Sequence, residues 1–373
     1  MSTPRILIIA GSDSGGGAGI QADIRTVTML GGHAMTAITA ITAQNTLGVQ
    51  GVHPVPTEMV LAQIDSVVSD IGVDAVKIGM IGSAQTALAV AERLETIGAP
   101  VVVDPVMVAS SGGVLADAET VESLHELMGW AFVTTPNLPE LEALGGEAEL
   151  TARGEMLLIK GGHAPGATVI DRLVGPEGEI ARWEDPRIET EDTHGTGCTL
   201  ASAIATGLGQ GLDLPEAIAR ARTFVRLALK DAPGLGGGHG PMGHPSVRLD
   251  LGPAMRFNQA SVPVADYAAS RDFYEELGLR LIVDSPGNNY ARFETPGGAT
   301  LSLHGDAHAI YLECDDLDAR VAALQSIGFA FDSEPVDQSW GWREAWLVDP
   351  AGNRICLFSA GEYRRYPPWR VVG

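Results

Sequence analysis

The chain has 373 residues, which at about 100–200 residues per domain makes two or three domains. It is 45% hydrophobic and 19% charged, a composition that can bury a sizeable core. With 24 basic against 47 acidic residues the net charge is −23, a poor match to nucleic acid, and no apolar run reaches the length of a membrane-spanning helix.

Taken in chain order, the apolar run Ile6–Ala10 comes first, too short and wrongly flanked for a signal peptide. The turn Gly11-Ser-Asp-Ser-Gly-Gly-Gly-Ala-Gly19 and a helical pattern over Gln21–Leu30 follow. Further apolar runs at Ala75–Ile78, Val101–Val103, Phe132–Thr134 and Met156–Ile159 alternate with helical stretches at Thr57–Ile71, Ala84–Ile97, Thr120–Met128, Cys198–Gly207 and Leu214–Leu229. Unbroken β-branched runs suit strands buried on both faces, and the alternation predicts an α/β layout with a parallel sheet and helices on each side. Ligands in such sheets bind beyond the carboxyl ends of the strands.

Several chemically capable residues fall at those ends. The glycine-rich turn lets backbone amides approach a ligand, but it lacks the lysine of a Walker-type loop and the G-x-G-x-x-G spacing. Asp23, one turn into the following helix, reads equally as a polar-ligand contact or as a charge favoured by the helix dipole. Gln44 offers a donor and an acceptor side by side, suited to an aminopyrimidine edge or to a satisfied loop. Asp104, Asn137 with Glu140, and Lys160 each follow a strand, either as Mg²⁺ anchors and a phosphate-facing cation or as ordinary caps and turns. In Asp192-Thr193-His-Gly195-Thr196-Gly197-Cys198-Thr199, unpaired amides at a helix start form a place for a phosphoryl group. Cys198 in that first turn is expected to have a lowered pKa suited to accepting a proton, against the plainer reading of a small buried cysteine.

The loop Pro233–Pro245, rich in glycine and proline, ends this part. Residues 1–244 hold 4 of the 20 aromatic residues and the remainder holds 16, so the chain is divided into 1–245, a linker 246–254, and 255–373. The second part repeats weakly at an offset of 50: Asp266–Gly278 and Asp316–Gly328 are both helix-like. Each follows a strand-like run (Ser261–Val264, Ile310–Glu313) and precedes three more, predicting an α+β domain of two βαβββ modules. Three scattered cysteines, Cys198, Cys314 and Cys356, rule out a disulfide framework and suit a reducing cytoplasm.

Together, Gly11–Asp23, Val76-Lys-Ile-Gly-Met80, Asp104-Pro-Val-Met107, Thr135-Pro-Asn-Leu-Pro-Glu140, Lys160-Gly-Gly-His163 and Thr193–Thr199 resemble the hydroxymethylpyrimidine/phosphomethylpyrimidine kinase family, in order over residues 5–244. The resemblance implies a ribokinase-like three-layer αβα fold with a mostly parallel sheet, ATP and Mg²⁺ as cofactors, a homodimer, and two successive phosphorylations of a hydroxymethylpyrimidine in thiamine biosynthesis. It implies a pyrimidine pocket lined by Gly11, Asp23, Gln44, Met80 and Val106. ATP and Mg²⁺ would be met by Asp104, Asn137, Glu140, Lys160 and Thr193, with Mg²⁺ held by Asp104 and Glu140 through water. Gly195, Thr196 and Gly197 would form the anion hole, with Cys198 as base. Sugar kinases of this fold usually carry Asp at that point, so cysteine favours a pyrimidine or pyridoxal-type substrate. Only nine residues separate Gly146 from Met156, where the family usually carries a full helix.

Residues 255–360 resemble the vicinal oxygen chelate superfamily of glyoxalase I and bleomycin-resistance proteins, on Phe257–Asp266, Ser270–Tyr274, Leu277–Leu279 and Asp349–Asn353. The four strand positions that carry its metal ligands read Gln259, Ser302, Ala309 and Cys356, a poor donor set. His304 and His308 lie nearby, but a one-residue shift on a strand turns a side chain to the other face. The expectation is a metal-free cup lined by Trp340, Trp342 and Trp346, or equally a core or domain interface built from these tryptophans.

Overall fold

A computed structural model describes residues 3–107, 118–247, 256–295, 298–305, 308–314, 316–348, 353–364 and 367–371. The chain forms two compact units, Met1–Leu249 and Asp250–Gly373. Most of the expected linker, 248–254, lies outside the described residues, as do 349–352 of the turn at Asp349.

The first unit is built on a nine-stranded sheet. Its strands are β1 (Arg5–Asp13), β2 (His33–Asn45), β3 (Gly48–Pro54), β4 (Ala75–Ile78), β5 (Val101–Val103), β6 (Val133–Thr134), β7 (Leu157–Ile159), β8 (Thr168–Gly175) and β9 (Gly178–Pro186). They lie in the order β3-β2-β1-β4-β5-β6-β7-β8-β9. Strands β2, β1, β4, β5, β6 and β7 run parallel, while β3, β8 and β9 pair antiparallel at the edges. The central strands have no exposed face; Ile6, Leu7, Ile8 and Ile9 are each 0% exposed.

Strand alternation sorts their side chains between two helical layers. Leu7, Ile9, Val76, Ile78, Val101 and Val103 pack with α2 (Thr57–Asp70), α3 (Ala84–Ile97) and α4 (Ala118–Met128). The intervening residues, Lys77 and Val102 among them, face the layer of α1 (Gly19–Met29), α7 (Thr196–Gly209) and α8 (Leu214–Lys230). Two short helices, α5 (Leu138–Ala143) and α6 (Glu147–Ala152), lie between β6 and β7. The nine residues between Gly146 and Met156 hold a short helix: α6 keeps one turn and a half and buries Leu150 completely.

The second unit is an eight-stranded sheet made of β10 (Arg256–Val262), α9 (Tyr267–Glu276), β11 (Arg280–Ser285), β12 (Tyr290–Glu294) and β13 (Thr300–His304), then β14 (Ala309–Glu313), α10 (Leu317–Ser326), β15 (Val336–Asp337), β16 (Arg343–Val348) and β17 (Arg354–Ser359). The order β11-β12-β13-β10-β14-β17-β16-β15 places the two βαβββ modules side by side. The 50-residue offset is structural. Asp266 and Asp316 cap α9 and α10 by accepting from Ala269 N at 3.1 Å and Ala319 N at 3.0 Å. Gly278 and Gly328 leave those helices at φ +95° and +98°. Strand β10 starts earlier than Ser261 and stops before Pro263, which has no N–H to give a ladder.

Candidate active site

The carboxyl ends of β5, β6 and β7 bring together three of the expected side chains. Asp104, 1% exposed, accepts from Lys160 Nζ at 2.8 Å and from Thr135 Oγ1 at 3.2 Å, both on Oδ1. Glu140 Oε2 lies 3.8 Å from the same Lys160 nitrogen. Burial opposes the Lys160 charge, but Asp104 and Glu140 outweigh it and hold the ammonium above its ordinary range. Burial pushes the Glu140 carboxyl up, with Lys160 pulling against it. Asn137 caps the helix that follows. Its Oδ1 accepts from Glu140 N at 2.9 Å while Glu140 Oε2 accepts from Asn137 N at 2.8 Å, a reciprocal cap of α5. That cap fixes where Glu140 stands.

The glycine-rich turn is occupied from within. Asp13 accepts from the amides of Gly15 (2.8 Å), Gly17 (2.9 Å) and Ala18 (2.8 Å), so the loop cradles its own carboxylate. His194 and these amides hold Asp13 below the usual carboxylate range although burial works the other way. His194 Nε2 lies 3.0 Å from Asp13 Oδ2 and 3.1 Å from the Gln44 amide nitrogen. An ionised Asp13 requires the proton on Nε2, so Gln44 must offer an acceptor there. Its amide oxygen therefore belongs toward His194 and its nitrogen toward Thr42 Oγ1, 3.2 Å away, whose hydroxyl already donates to Ser12 O at 2.9 Å.

Helix α7 begins beside both groups. Gly195 sits at φ +85°, and a Cβ there would lie 2.1 Å from Gly17 O, so the two loops meet backbone to backbone. Thr196 N bonds Thr193 O and Thr199 N bonds Gly195 O; among the described residues the amides of Gly197 and Cys198 have no backbone acceptor. A Cβ on Gly197 would lie 3.2 Å from Asp104 Oδ2 and 3.3 Å from Lys160 Nζ, which locates these amides next to the carboxylate–lysine pair. A helix start with free amides and a neighbouring cation is suited to an anion.

Two expectations need correction. Cys198 is part-exposed, but its thiol is pushed up to about 11, not lowered; burial dominates, Asp23 and Asp104 add to it, and Lys77 and the Gly19 amide only partly offset it. Asp23 is 0% exposed and does not present a face to a cleft. Its Oδ2 takes Lys77 Nζ at 2.8 Å and its Oδ1 takes Ser202 Oγ at 2.7 Å. Lys77, itself fully buried, is kept charged by this carboxylate despite its burial. The pair anchors α7 one turn beyond Cys198. Of the other expected pocket residues, Met80 reaches Gly11: a Cβ there would lie 2.2 Å from the Met80 methyl Cε. Met80 and Val106 are part-buried, and Val106 N donates to Asp104 O at 2.8 Å.

Asp13, His194, Lys77, Ser202 and His244 were not singled out in the sequence. His244, 0% exposed, pairs with Thr199 Oγ1 at 2.8 Å. A lysine inside the otherwise apolar run Ala75–Ile78 was the visible signal for Lys77; the partners of the others lie far away in sequence.

In the second unit, Gln259, Ser302, Ala309 and Cys356 lie on one face of the sheet, as their cross-strand partners require. They satisfy one another: Gln259 Nε2 donates to Ser302 Oγ at 3.1 Å, and Ser261 and Ser302 hydroxyls lie 2.6 Å apart. Glu344 accepts from the indoles of Trp340 (2.9 Å) and Trp346 (3.1 Å), while Trp342 stacks on Phe358.

The family model described as phosphomethylpyrimidine kinase matches residues 13–243, and that of the Glyoxalase/Bleomycin resistance protein/Dioxygenase superfamily matches residues 256–357. The hydroxymethylpyrimidine/phosphomethylpyrimidine kinase of Streptomyces coelicolor is 46% identical over 259 residues, 65% of this chain and 95% of that protein. The thiamine biosynthesis bifunctional protein of Geobacter sulfurreducens is 48% identical over 255 residues, 64% of this chain. The chain spans 52% of that relative's length and 36% of a multifunctional relative from Corynebacterium efficiens. An ADP complex of Bacillus subtilis pyridoxal kinase is similar with a TM-score of 0.61 and 33% identity, covering 67% of this chain and all of that one.

Proposed function

The chain belongs to the phosphomethylpyrimidine kinase family, and from that premise we propose that its first unit moves the γ-phosphoryl group of ATP to the alcohol of 4-amino-5-hydroxymethyl-2-methylpyrimidine and then to the resulting monophosphate, in thiamine biosynthesis. The observation that carries this reading is the pair of amides at Gly197 and Cys198 that have no backbone acceptor among the described residues, set against Asp104 and Lys160.

Phosphoryl transfer asks a protein chiefly for positioning and charge stabilisation. The α7 amides and the Lys160 ammonium hold the negative charge of the migrating group. Gln44, with its oxygen turned to His194, keeps an N–H for a ring nitrogen of the substrate. Met80 and Val106 supply the apolar wall and Thr193 the threshold of the anion loop. Asp104 and Glu140 form an all-oxygen pair suited to Mg²⁺ through water, since that ion gives up water reluctantly. Mg²⁺, when bound, neutralises phosphate charge. Cys198, its thiol neutral at rest, takes the proton of the alcohol only through its minor thiolate form, once its own proton has passed to solvent. Asp23 and Lys77 act from behind, by holding α7.

The pyridoxal kinase likeness favours a second reading, in which pyridoxal is the alcohol. Coupled ADP-release assays on the full chain with the pyrimidine alcohol, its monophosphate and pyridoxal decide: turnover of the first two supports the proposal, faster turnover of pyridoxal favours the second reading, and no release with any of them sinks both. We further take the protein to be cytoplasmic and homodimeric, which light scattering checks for the assembly. The second unit is a glyoxalase-like domain, proposed as a small-molecule-binding or regulatory module.

A further inference from the structure

The second unit contains a buried cation with unmet hydrogen-bonding capacity. Arg292, on β12, is 4% exposed, and among the described residues its Nε and Nη2 have no hydrogen-bond partner. Its position opposite Ser302 puts it on the sheet face that carries Ser261, Tyr311, Cys356 and Trp346. Three acids share that face, and among the described residues none stands within ion-pair distance of it. Glu313 pairs with Arg364, Glu344 accepts from two indoles, and Glu294 favours the Arg292 charge less than Tyr290 does. Arg364 and Arg370 add positive charge at the same point. A polar group taken from water needs its hydrogen bonds replaced, and a buried charge needs a partner.

An aromatic wall stands beside these donors. The Arg292 guanidinium lies 5.3 Å from the centroid of Trp342. Trp342 is stacked on Phe358 at 4.3 Å and 14°, and Tyr311 meets both rings edge-on. We propose that this face of the second unit binds a planar aromatic or heteroaromatic molecule bearing a carboxylate or phosphate. The anion receives the Nε and Nη2 pair of Arg292 as a fork, and the ring rests against the Trp342 wall. No metal is required, and the site is independent of the phosphoryl-transfer centre in the first unit.

Isothermal titration calorimetry on the full chain tests this with benzoate, phenyl phosphate, inorganic phosphate and benzylamine as probes. Saturable binding of benzoate or phenyl phosphate, with no response to benzylamine, is expected, and inorganic phosphate should bind more weakly for want of a ring. Arg292→Met should weaken the aromatic anion by about ten- to a hundredfold, the worth of a charge-assisted pair. The same variant should melt at a higher temperature, because it removes a buried charge whose described partners are the Tyr290 hydroxyl and the Trp342 ring and not an acid; a structural arginine would give the reverse. Arg292→Lys, which keeps charge but loses the fork, should retain weak binding. Silence toward every anion in the millimolar range, unchanged affinity in Arg292→Met, or a lower melting temperature in that variant overturns the proposal. Equal affinity for phosphate and phenyl phosphate overturns the aromatic part of it.

Discussion

His244 gives the first unit an acid-sensitive clasp. Its ring is fully buried against Phe224, 6.2 Å between centroids, and it pairs with Thr199 in the first turns of α7. Burial, aided by Arg25, drives its pKa from 6.5 down to about 4. The unfolded chain, with a His near 6.5, therefore binds more protons than the folded one between those values, and stability rises with pH across that window. The contribution is complete above about pH 6.5; roughly 2 kcal/mol of it is gone by about pH 5, and about 3 kcal/mol at full protonation. His125 and His163 are shifted the same way, so the wild-type curve alone does not isolate His244. The perturbation is His244→Gln, which keeps a hydrogen-bonding partner for Thr199 without a titrating ring. Urea unfolding, read by hydrogen exchange in the α7 and α8 peptides at about pH 7.5 and about pH 5, gives two stabilities per protein. The variant should cost about 1 kcal/mol at the higher pH, one imperfectly replaced hydrogen bond, and lose roughly 2 kcal/mol less than wild type on acidification. Parallel pH dependence in the two proteins would refute the argument.

Other consequences are simpler to check. Cys198 should alkylate slowly near neutrality and titrate with a midpoint of about 11 in the free protein, read by peptide-resolved mass spectrometry; a midpoint below 8.5 would contradict its burial. Cys198→Ala should lower kcat by about 10²- to 10⁴-fold with KM little changed, and near-normal kcat removes the cysteine from proton transfer. Lys160→Met should lower kcat by about 10²- to 10³-fold, the scale of one lost charge-stabilising donor, in steady-state ADP release. Gly195→Ala forces a Cβ to 2.1 Å from Gly17 O, whereas Gly211→Ala, also at positive φ, meets nothing within 4 Å. The first should abolish turnover and lower the thermal midpoint far more than the second, whose cost is about 1 kcal/mol.

The interior of the sheet was legible because the apolar runs Ile6–Ala10, Val101–Val103 and Leu157–Ile159 are unbroken and that of β4 is interrupted by Lys77 alone. Strand β2 mixes threonine and alanine, β3 carries two glycines and a proline, and β8 and β9 carry glycine and charge, so their residues resemble loops until pairing partners are known. Motifs at the strand ends announced Asp104, Lys160 and the start of α7. The Asp13–His194 contact could not be read, because 181 residues separate its members and topology alone joins them. Nor could the neutral state of Cys198: helix position argued for a low pKa, and desolvation, which depends on the tertiary surroundings, won. In the second unit the repeat was readable since Asp266 and Asp316 do the same local work at the same spacing.

The self-filled glycine turn has a bearing on traffic through the cleft. A nest already plugged by its own chain is shut to an incoming oxyanion, which leaves the opening turn of α7, among the described residues, as the berth with amides to spare.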